Sequence, residues 1–159
     1  MNREKRSVPK ISLIQPKQID AAVELFSVQL TEHKIQTDSN WVRSVIEKVV
    51  ADDRHGFILV ATTEEGKLVG VAFGSAFLGM EHGGLSGWLE ELYVLPDWRQ
   101  LGIGTRLVLE AVRIARVRGW RALDLEVEAD HQRVISLYLR HGFLPHSRSR
   151  FGRRLDLPV

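Results

Sequence analysis

Residues 89–108 read LEELYVLPDWRQLGIGTRLV and join a strand, a glycine loop and the start of a helix. The apolar stretch that stops at Pro96 predicts the strand. Helical spacing follows, at Ile103, Leu107, Ala111 and Ile114. The first amides of a helix lack intrahelical partners and carry the positive end of its dipole. Because Gly102 and Gly104 have no Cβ, a bulky diphosphate can approach these amides closely, and the loop predicts an anion site.

Two common nucleotide-binding loops fit this glycine pair poorly. The P-loop requires Lys followed by Ser or Thr after its second glycine, whereas Thr105 and Arg106 follow Gly104. The dinucleotide loop requires a third glycine, and Leu107 stands there, although Asp124 is close to the spacing of its acidic residue. The alternative interpretation is a tight turn without a ligand.

The rest of the chain predicts an α/β fold, with a mixed β-sheet flanked by helices. Residues 11–14 predict a strand, and a helix can begin at Pro16. A second helix is expected after an N-cap at Asp38 or Ser39. It should bury Val42, Val45, Ile46, Val49 and Val50.

The middle and the second half of the chain add further strands. A hairpin is predicted around Gly66, which supplies the positive φ of its turn. Strand, helix and strand then alternate, which favours parallel pairing there. Leu123, Leu125 and Val127 alternate onto one face of a strand. The segment after Phe143 is compatible with one or two closing strands.

Composition excludes several classes of protein. The chain has 159 residues, 44% of them hydrophobic, a net charge of +2 and no cysteine. Disulfide frameworks, thiolate zinc sites and a cysteine nucleophile are therefore ruled out. The histidines show no paired metal spacing, so no metal site is expected. One domain over residues 1–159 is expected, with residues 1–9 flexible.

The same properties indicate the expected location and partners. There is no signal sequence and no apolar run long enough to span a bilayer, so we expect a cytoplasmic protein without a membrane partner. Arginines cluster in RSRFGRRL, residues 148–155. We interpret them as a charged strand edge, and nucleic acid is not an expected partner. An arginine-led nucleic-acid binder is the alternative, and a steep salt dependence of DNA affinity would identify it.

Together, LEELYVLPDWRQLGIGTRLV and HQRVISLYLRHGF, residues 131–143, resemble the two signature motifs of the GNAT superfamily of acetyl-CoA-dependent N-acetyltransferases. The loop pattern of that family, Arg/Gln-x-x-Gly-x-Gly/Ala, is met by Arg99, Gly102 and Gly104. The resemblance implies a GNAT-like fold and an acetyl-CoA cosubstrate. Its pantetheine arm would run along the strand, and its pyrophosphate would lie on the loop amides. The cofactor-binding residues implied are Leu92, Tyr93, Val94, Arg99, Gln100, Leu101, Gly102, Ile103, Gly104, Thr105 and His131.

The chain departs from the family pattern at three positions. The family commonly has glycine where Gln100 stands, asparagine at His131 and alanine at Val134. None of these changes removes a backbone donor of the loop.

The resemblance also implies catalytic residues. Tyr138 matches the tyrosine that protonates the departing thiolate, and its alternative is an aromatic packed on an amphipathic helix. Glu90 is expected as the general base, because LEE is similar to the LED motif of diamine acetyltransferases. Strand alternation places Glu91 on the opposite face. The Val94 amide is the expected oxyanion donor.

The sequence thus predicts transfer of an acetyl group from acetyl-CoA directly to a primary amine of a small molecule or peptide, in a ternary complex. The acceptor stays open among polyamines, amino acids, aminoglycosides and proteins. An acidic cleft for a cationic acceptor is one interpretation of Glu32, Glu81, Glu90, Glu91 and Glu128, and scattered surface charge is the other. A non-catalytic acyl-CoA-binding module is the alternative function. Homodimers are common in the family, and the sequence does not decide this point.

Overall fold

The computed structural model describes residues 7–128 and 131–156. Within them lie five strands and four α-helices. The strands are β1 (Lys10–Leu13), β2 (Gly56–Thr62), β3 (Leu68–Gly79), β4 (Gly84–Val94) and β5 (Leu123–Leu125). The helices are α1 (Ile19–Glu32), α2 (Ser39–Ala51), α3 (Ile103–Val117) and α4 (Gln132–Arg140).

The strands form one mixed sheet in the order β1-β2-β3-β4-β5. Every neighbouring pair is antiparallel except β4 and β5, which are parallel. The predicted parallel pairing in the second half is therefore confirmed. Gly66 has a φ of 86° in the β2–β3 turn, as the hairpin required.

By its contacts the chain divides into two units, residues 1–126 and 127–159. The first contains the sheet with α1, α2 and α3, and the second contains α4. One domain over the whole chain stays a prediction. Of the segment expected to be flexible, residues 1–6 lie outside the described residues. Pro9 is buried, and its carbonyl accepts a hydrogen bond from Arg106 at 2.8 Å.

One core fills the space between the sheet and the first two helices. Phe26 of α1 and Ile46 of α2 pack into a buried cluster with Val60 and Val71 of the sheet. The N-cap of α2 is Asp38, whose carboxylate accepts from the Asn40 amide at 2.6 Å, as predicted.

The prediction that Val45 is buried is wrong, since 45% of it is exposed. The buried stripe of α2 is centred on Val42, Ile46 and Val49. At 100° per residue, position 45 falls at the edge of that stripe and reaches solvent. Val50, at the opposite edge, is only partly buried.

β4 begins at Gly84, so Gly84 and Gly87 are both strand residues. A Cβ atom on Gly87 would lie 1.9 Å from Cζ3 of Trp120, so the absence of a side chain there makes room for this indole. The indole stacks on Phe57 with 5.3 Å between ring centroids.

The closing strands predicted after Phe143 do not form in residues 143–156, and the arginine-rich segment is no strand edge. Leu144, Phe151 and Leu155 are each more than three quarters exposed. Without a buried apolar face, nothing fixes the register of a strand. β5 likewise ends at Leu125, which leaves Val127 outside it.

Candidate active site at the β4–β5 opening

β4 and β5 separate partway along their length. They pair only from Gly87 opposite Leu123 to Leu89 opposite Leu125, while β4 continues to Val94. No strand of residues 7–128 or 131–156 pairs with that remaining part of β4 on its β5 side. The first unit therefore contains an opening with one unpaired strand edge.

A β-bulge lies where the strands separate. Phe73 of β3 pairs with Glu91, whereas the next residue of β3, Gly74, pairs with Leu89. Glu90 is thus an extra residue in β4, and such a residue bends its strand and interrupts the ladder. The alternation used to place Glu90 and Glu91 on opposite faces does not hold across the bulge.

The register shows which backbone groups point into the opening. The Leu95 amide donates to the Val69 carbonyl at 2.9 Å. Hydrogen-bonded pairs alternate in an antiparallel ladder, so Tyr93 and Glu91 also bond to β3. Leu92 and Val94 occupy the intervening pairs, and their N–H and C=O groups face the unpaired edge.

The loop before α3 presents a second set of donors. The first bond of the helix runs from the Arg106 amide to the Gly102 carbonyl at 3.1 Å. None of the amides of residues 100–105 donates a hydrogen bond to an atom in the part of the chain that is described. Six consecutive amides at a helix N-terminus form a site for an anion.

The loop backbone accounts for the glycine pattern. Gly102 has a φ of 77°, a left-handed conformation that favours glycine. Apart from the adjoining backbone, no atom of the described residues lies within 4 Å of a Cβ built on Gly102 or Gly104, so both glycines border open space there. Gln100 also has a positive φ, 62°, which explains why glycine is common there in the family.

Arg99, the first residue of the loop motif, is bound to α1 and β4. Its Nε donates to the Val94 carbonyl at 2.9 Å, and its Nη2 lies 3.3 Å from Oε2 of Glu32. The guanidinium also lies over the Tyr93 ring, 5.3 Å from its centroid. The Tyr93 hydroxyl donates a hydrogen bond to Oε1 of Glu32 at 2.8 Å. Burial, and to a smaller degree this hydrogen bond, raise the pKa of Tyr93.

The two adjacent glutamates of β4 differ in their surroundings. Glu90 is exposed, whereas Glu91 is partly buried. Burial, and to a smaller degree the negative charge of Glu90, raise the pKa of Glu91 to about 7, and the charge of His33 opposes this shift. A carboxyl group with this pKa exchanges protons at neutral pH.

Gln29 and Glu32 of α1 lie at the site but belong to neither of the two sequence motifs. Gln29 is 4% exposed, and its Nε2 donates to the Leu92 carbonyl at 3.4 Å. The sequence contains only a weak indication of this role for Gln29. Gln29 is the only polar residue on the buried stripe of α1, together with Ala22, Val23, Leu25 and Phe26.

Tyr138 and His131 lie in the second unit. Tyr138 is buried and meets Phe143 edge to face, with 5.4 Å between ring centroids. Burial raises the pKa of Tyr138 to about 12. His131 Nε2 lies 3.6 Å from a carboxylate oxygen of Glu128.

The structure also bears on metal binding and on membrane insertion. In residues 7–128 and 131–156, no cluster of three or more His, Asp or Glu side chains is arranged to hold a metal ion. Among the helices of these residues, none combines the length and the apolar character needed to cross a membrane.

Curated relatives share parts of this sequence. The chain is 32% identical over 111 residues to the L-methionine sulfoximine/L-methionine sulfone acetyltransferase of Pseudomonas aeruginosa, covering 65% of this chain and 63% of that protein. It is 40% identical over 55 residues to an uncharacterized N-acetyltransferase of Methanocaldococcus jannaschii, covering 35% of this chain and 24% of that protein. The chain thus spans less than two thirds of the length of these relatives.

Solved structures share the fold. An integron cassette protein from the mobile metagenome of Cole Harbour Salt Marsh has a TM-score of 0.80 at 21% identity, covering 94% of this chain and 92% of that one. The aminoglycoside N-acetyltransferase AAC(6')-Iy, solved in complex with CoA, has a TM-score of 0.78 at 18% identity, covering 98% of this chain and 99% of that one. The expected fold class is confirmed.

The model of the acetyltransferase (GNAT) family matches residues 20–143, a span that contains both sequence motifs and the β4–β5 opening. The chain belongs to the GNAT acetyltransferase family.

Proposed function

We propose that this protein is an N-acetyltransferase that transfers the acetyl group of acetyl-CoA directly to a primary amine in a ternary complex. The observation that carries the proposal is the row of unused backbone donors. It begins with the amides of residues 100–105 and continues with those of Leu92 and Val94 on the unpaired edge of β4. These donors suit a long ligand with a diphosphate at one end and amide groups along its arm.

The residues present fit acetyl-CoA, which supplies an activated acetyl thioester. The amides of residues 100–105 would hold the pyrophosphate, and the open space beside Gly102 and Gly104 admits its bulk. The Leu92 backbone and the Val94 carbonyl would pair with the pantetheine arm as strands pair in a sheet, which leaves the Val94 amide free for the acetyl group. The Val94 amide is the proposed donor to the acetyl oxygen.

A general base is needed because the acceptor is a cation at neutral pH. An alkylamine with a pKa of ~10.4 is only about 0.04% neutral at pH 7. The family resemblance points to Glu90 as this base. The burial of Glu91 makes it the second candidate, since a pKa of about 7 matches the working pH that a base requires.

Tyr138 is the proposed general acid, which gives its proton to the departing sulfur. A pKa of about 12 keeps its hydroxyl protonated throughout the neutral range. The C–N bond forms as the C–S bond breaks, and no covalent acyl-enzyme is required. His131 stays a proposed cofactor contact on the resemblance alone.

The acceptor class is proposed only as a primary amine. Similar proteins are named for L-methionine sulfone and for aminoglycosides, which differ widely in size and charge. Polyamines and protein amines stay open as well. Of the acidic residues expected to attract a cation, Glu32 is already bonded to Tyr93 and Arg99. A cytoplasmic location is also a proposal.

The first test is calorimetric titration with acetyl-CoA, with NAD and ATP as controls. The informative variant is Gly104→Leu, because the new side chain enters open space and leaves the packed core intact. We expect acetyl-CoA alone to bind, and the variant to bind it at least about tenfold more weakly, a difference of about 1.4 kcal/mol. Equal binding of all three nucleotides, or none, would remove the cofactor proposal.

A second measurement separates an enzyme from a non-catalytic acyl-CoA-binding module. Thiol release from acetyl-CoA is followed with L-methionine sulfone, kanamycin, spermidine and an alanine-starting peptide. Release that depends on one of these amines identifies an enzyme. Tight acetyl-CoA binding without release in a broad amine panel would favour the binding module.

A further inference from the structure

Gln29 carries a buried hydrogen-bond acceptor, Oε1, to which no group in the described part of the chain donates. Its Nε2 donates to the Leu92 carbonyl at 3.4 Å, and a carbonyl can only accept, so the carboxamide orientation is fixed. Oε1 is then left buried without a hydrogen-bond partner among the described residues. Buried polar atoms are nearly always hydrogen-bonded, and an exception needs an explanation.

Packing of α1 does not provide that explanation. The other buried residues of the helix are Ala22, Val23, Leu25 and Phe26, and a leucine or methionine at position 29 would continue this stripe without an unpaired atom. The Leu92 carbonyl does not require the glutamine either, since it faces the β4–β5 opening. A ligand that donates an N–H group in this opening would satisfy Oε1.

The charges nearby favour a cationic donor over a neutral amide. Glu91 and Tyr93 are two residues apart in β4, so their side chains share the face toward the last turn of α1. On that face Tyr93 bonds to Glu32, and His33 acts on the charge of Glu91. Arg99 offsets one carboxylate, Glu32, through its ion pair. Glu91 forms no ion pair with an arginine or lysine of the described residues.

We propose that Oε1 of Gln29 accepts a hydrogen bond from the reacting amine of the acceptor, which makes Gln29 a residue that orients the nucleophile. The inference rests on the proposed N-acetyltransferase function. A primary amine that has lost one proton to the base keeps two N–H groups. One of them bonds to Gln29 while the lone pair faces the unpaired edge of β4. As the C–N bond forms and the C–S bond breaks, the other N–H group loses its proton, which replaces the proton that Tyr138 gives to the departing sulfur.

The test follows the side-chain amide signals of Gln29 by ¹H–¹⁵N NMR, with Gln29→Met identifying them. Protein saturated with CoA is titrated with n-butylamine, and in parallel with n-butyltrimethylammonium, which carries the charge but no N–H donor. We expect the Gln29 signals to shift with butylamine and to stay in place with the trimethylammonium compound. The same spectra without CoA show whether the amine alone suffices.

Three results overturn the inference. The signals move equally with both cations, or they do not move with butylamine, or they make their full shift when CoA alone is added. The last result would assign Oε1 to the pantetheine amide. Absence of CoA binding is a separate result that removes the proposed function.

Kinetics with an acceptor that reacts give the second readout. Gln29→Met is expected to raise KM for the amine about tenfold while KM for acetyl-CoA changes less than about twofold. The matched control is Ser27→Ala. Ser27 Oγ is also buried and has no hydrogen-bond partner among the residues that the structure describes, but it lies about 200° around the helix from Gln29. A merely structural role would lower Tm and raise both KM values together, and this too would overturn the inference.

Discussion

Replacing Glu91 with glutamine is expected to stabilise the protein at pH 8 and to change its stability little at pH 4. Burial, with the charge of Glu90, raises the pKa of Glu91 from 4.5 to about 7. Between these values the folded chain keeps a proton that the unfolded chain has lost. Stability therefore falls as pH rises through this window, and the loss is complete above pH 7. Glutamine is neutral at every pH, so the variant does not lose stability in this way.

The size of the effect follows from the shift. At about 1.4 kcal/mol for each unit of pKa, the shift from 4.5 to about 7 is worth at most about 3 to 4 kcal/mol. The carboxyl group of Glu91 keeps some contact with water, which weakens the effect of burial. We therefore expect Glu91→Gln to raise the free energy of unfolding at pH 8 by about 2 kcal/mol. For a chain of this length, that corresponds to a rise in Tm of roughly 4–8 °C.

Urea unfolding at pH 4 and pH 8 measures the difference. Glu24→Gln is the matched control, since Glu24 is an exposed glutamate of α1 and its replacement should shift neither value. Equal effects of Glu91→Gln at the two pH values, or destabilisation at pH 8, would refute the reasoning. In the activity assay, loss of the acidic limb near pH 7 together with about a hundredfold lower kcat would identify Glu91 as the base. An unchanged profile leaves that role to Glu90.

Two further predictions test Tyr138 as the general acid and the packing of Gly87 against Trp120. Tyr138→Phe is expected to lower turnover at saturating acetyl-CoA while calorimetry shows nearly unchanged cofactor affinity, and unchanged turnover would rule out the acid role. Gly87→Ala should destabilise the protein by about 1–3 kcal/mol in urea unfolding, because its Cβ would overlap Trp120. Gly104→Ala is the control without such a loss, because its Cβ would contact no described residue beyond the adjoining backbone. Equal losses in the two variants would contradict the packing argument.

The predictable parts of the structure were those with a local physical cause. The period of α3 and the turn at Gly66 depend on neighbouring residues, and both formed as predicted. The glycine loop was located for the same reason. In the structure Gln100 of this loop also adopts a positive φ, which a glutamine at that position does not indicate.

The missed parts depend on distant contacts. The bulge at Glu90 is a shift in the register between β3 and β4, so it cannot be predicted from the sequence of β4 alone. The hydrogen bond from Gln29 to Leu92 joins residues 63 positions apart in the chain. The sequence of the tail is compatible with strands, but Leu144, Phe151 and Leu155, the large apolar residues in its described part, are exposed.

The unpaired edge of β4 has a consequence for handling the protein. Strand edges with free amides and carbonyls are templates on which other chains can add, and they promote aggregation. Two side chains, Gln29 and Arg99, already occupy carbonyls of Leu92 and Val94, which leaves the amides of this edge uncovered. A ligand that lies along β4 would close the edge, so adding acetyl-CoA, the proposed cosubstrate, during purification should protect the protein from self-association.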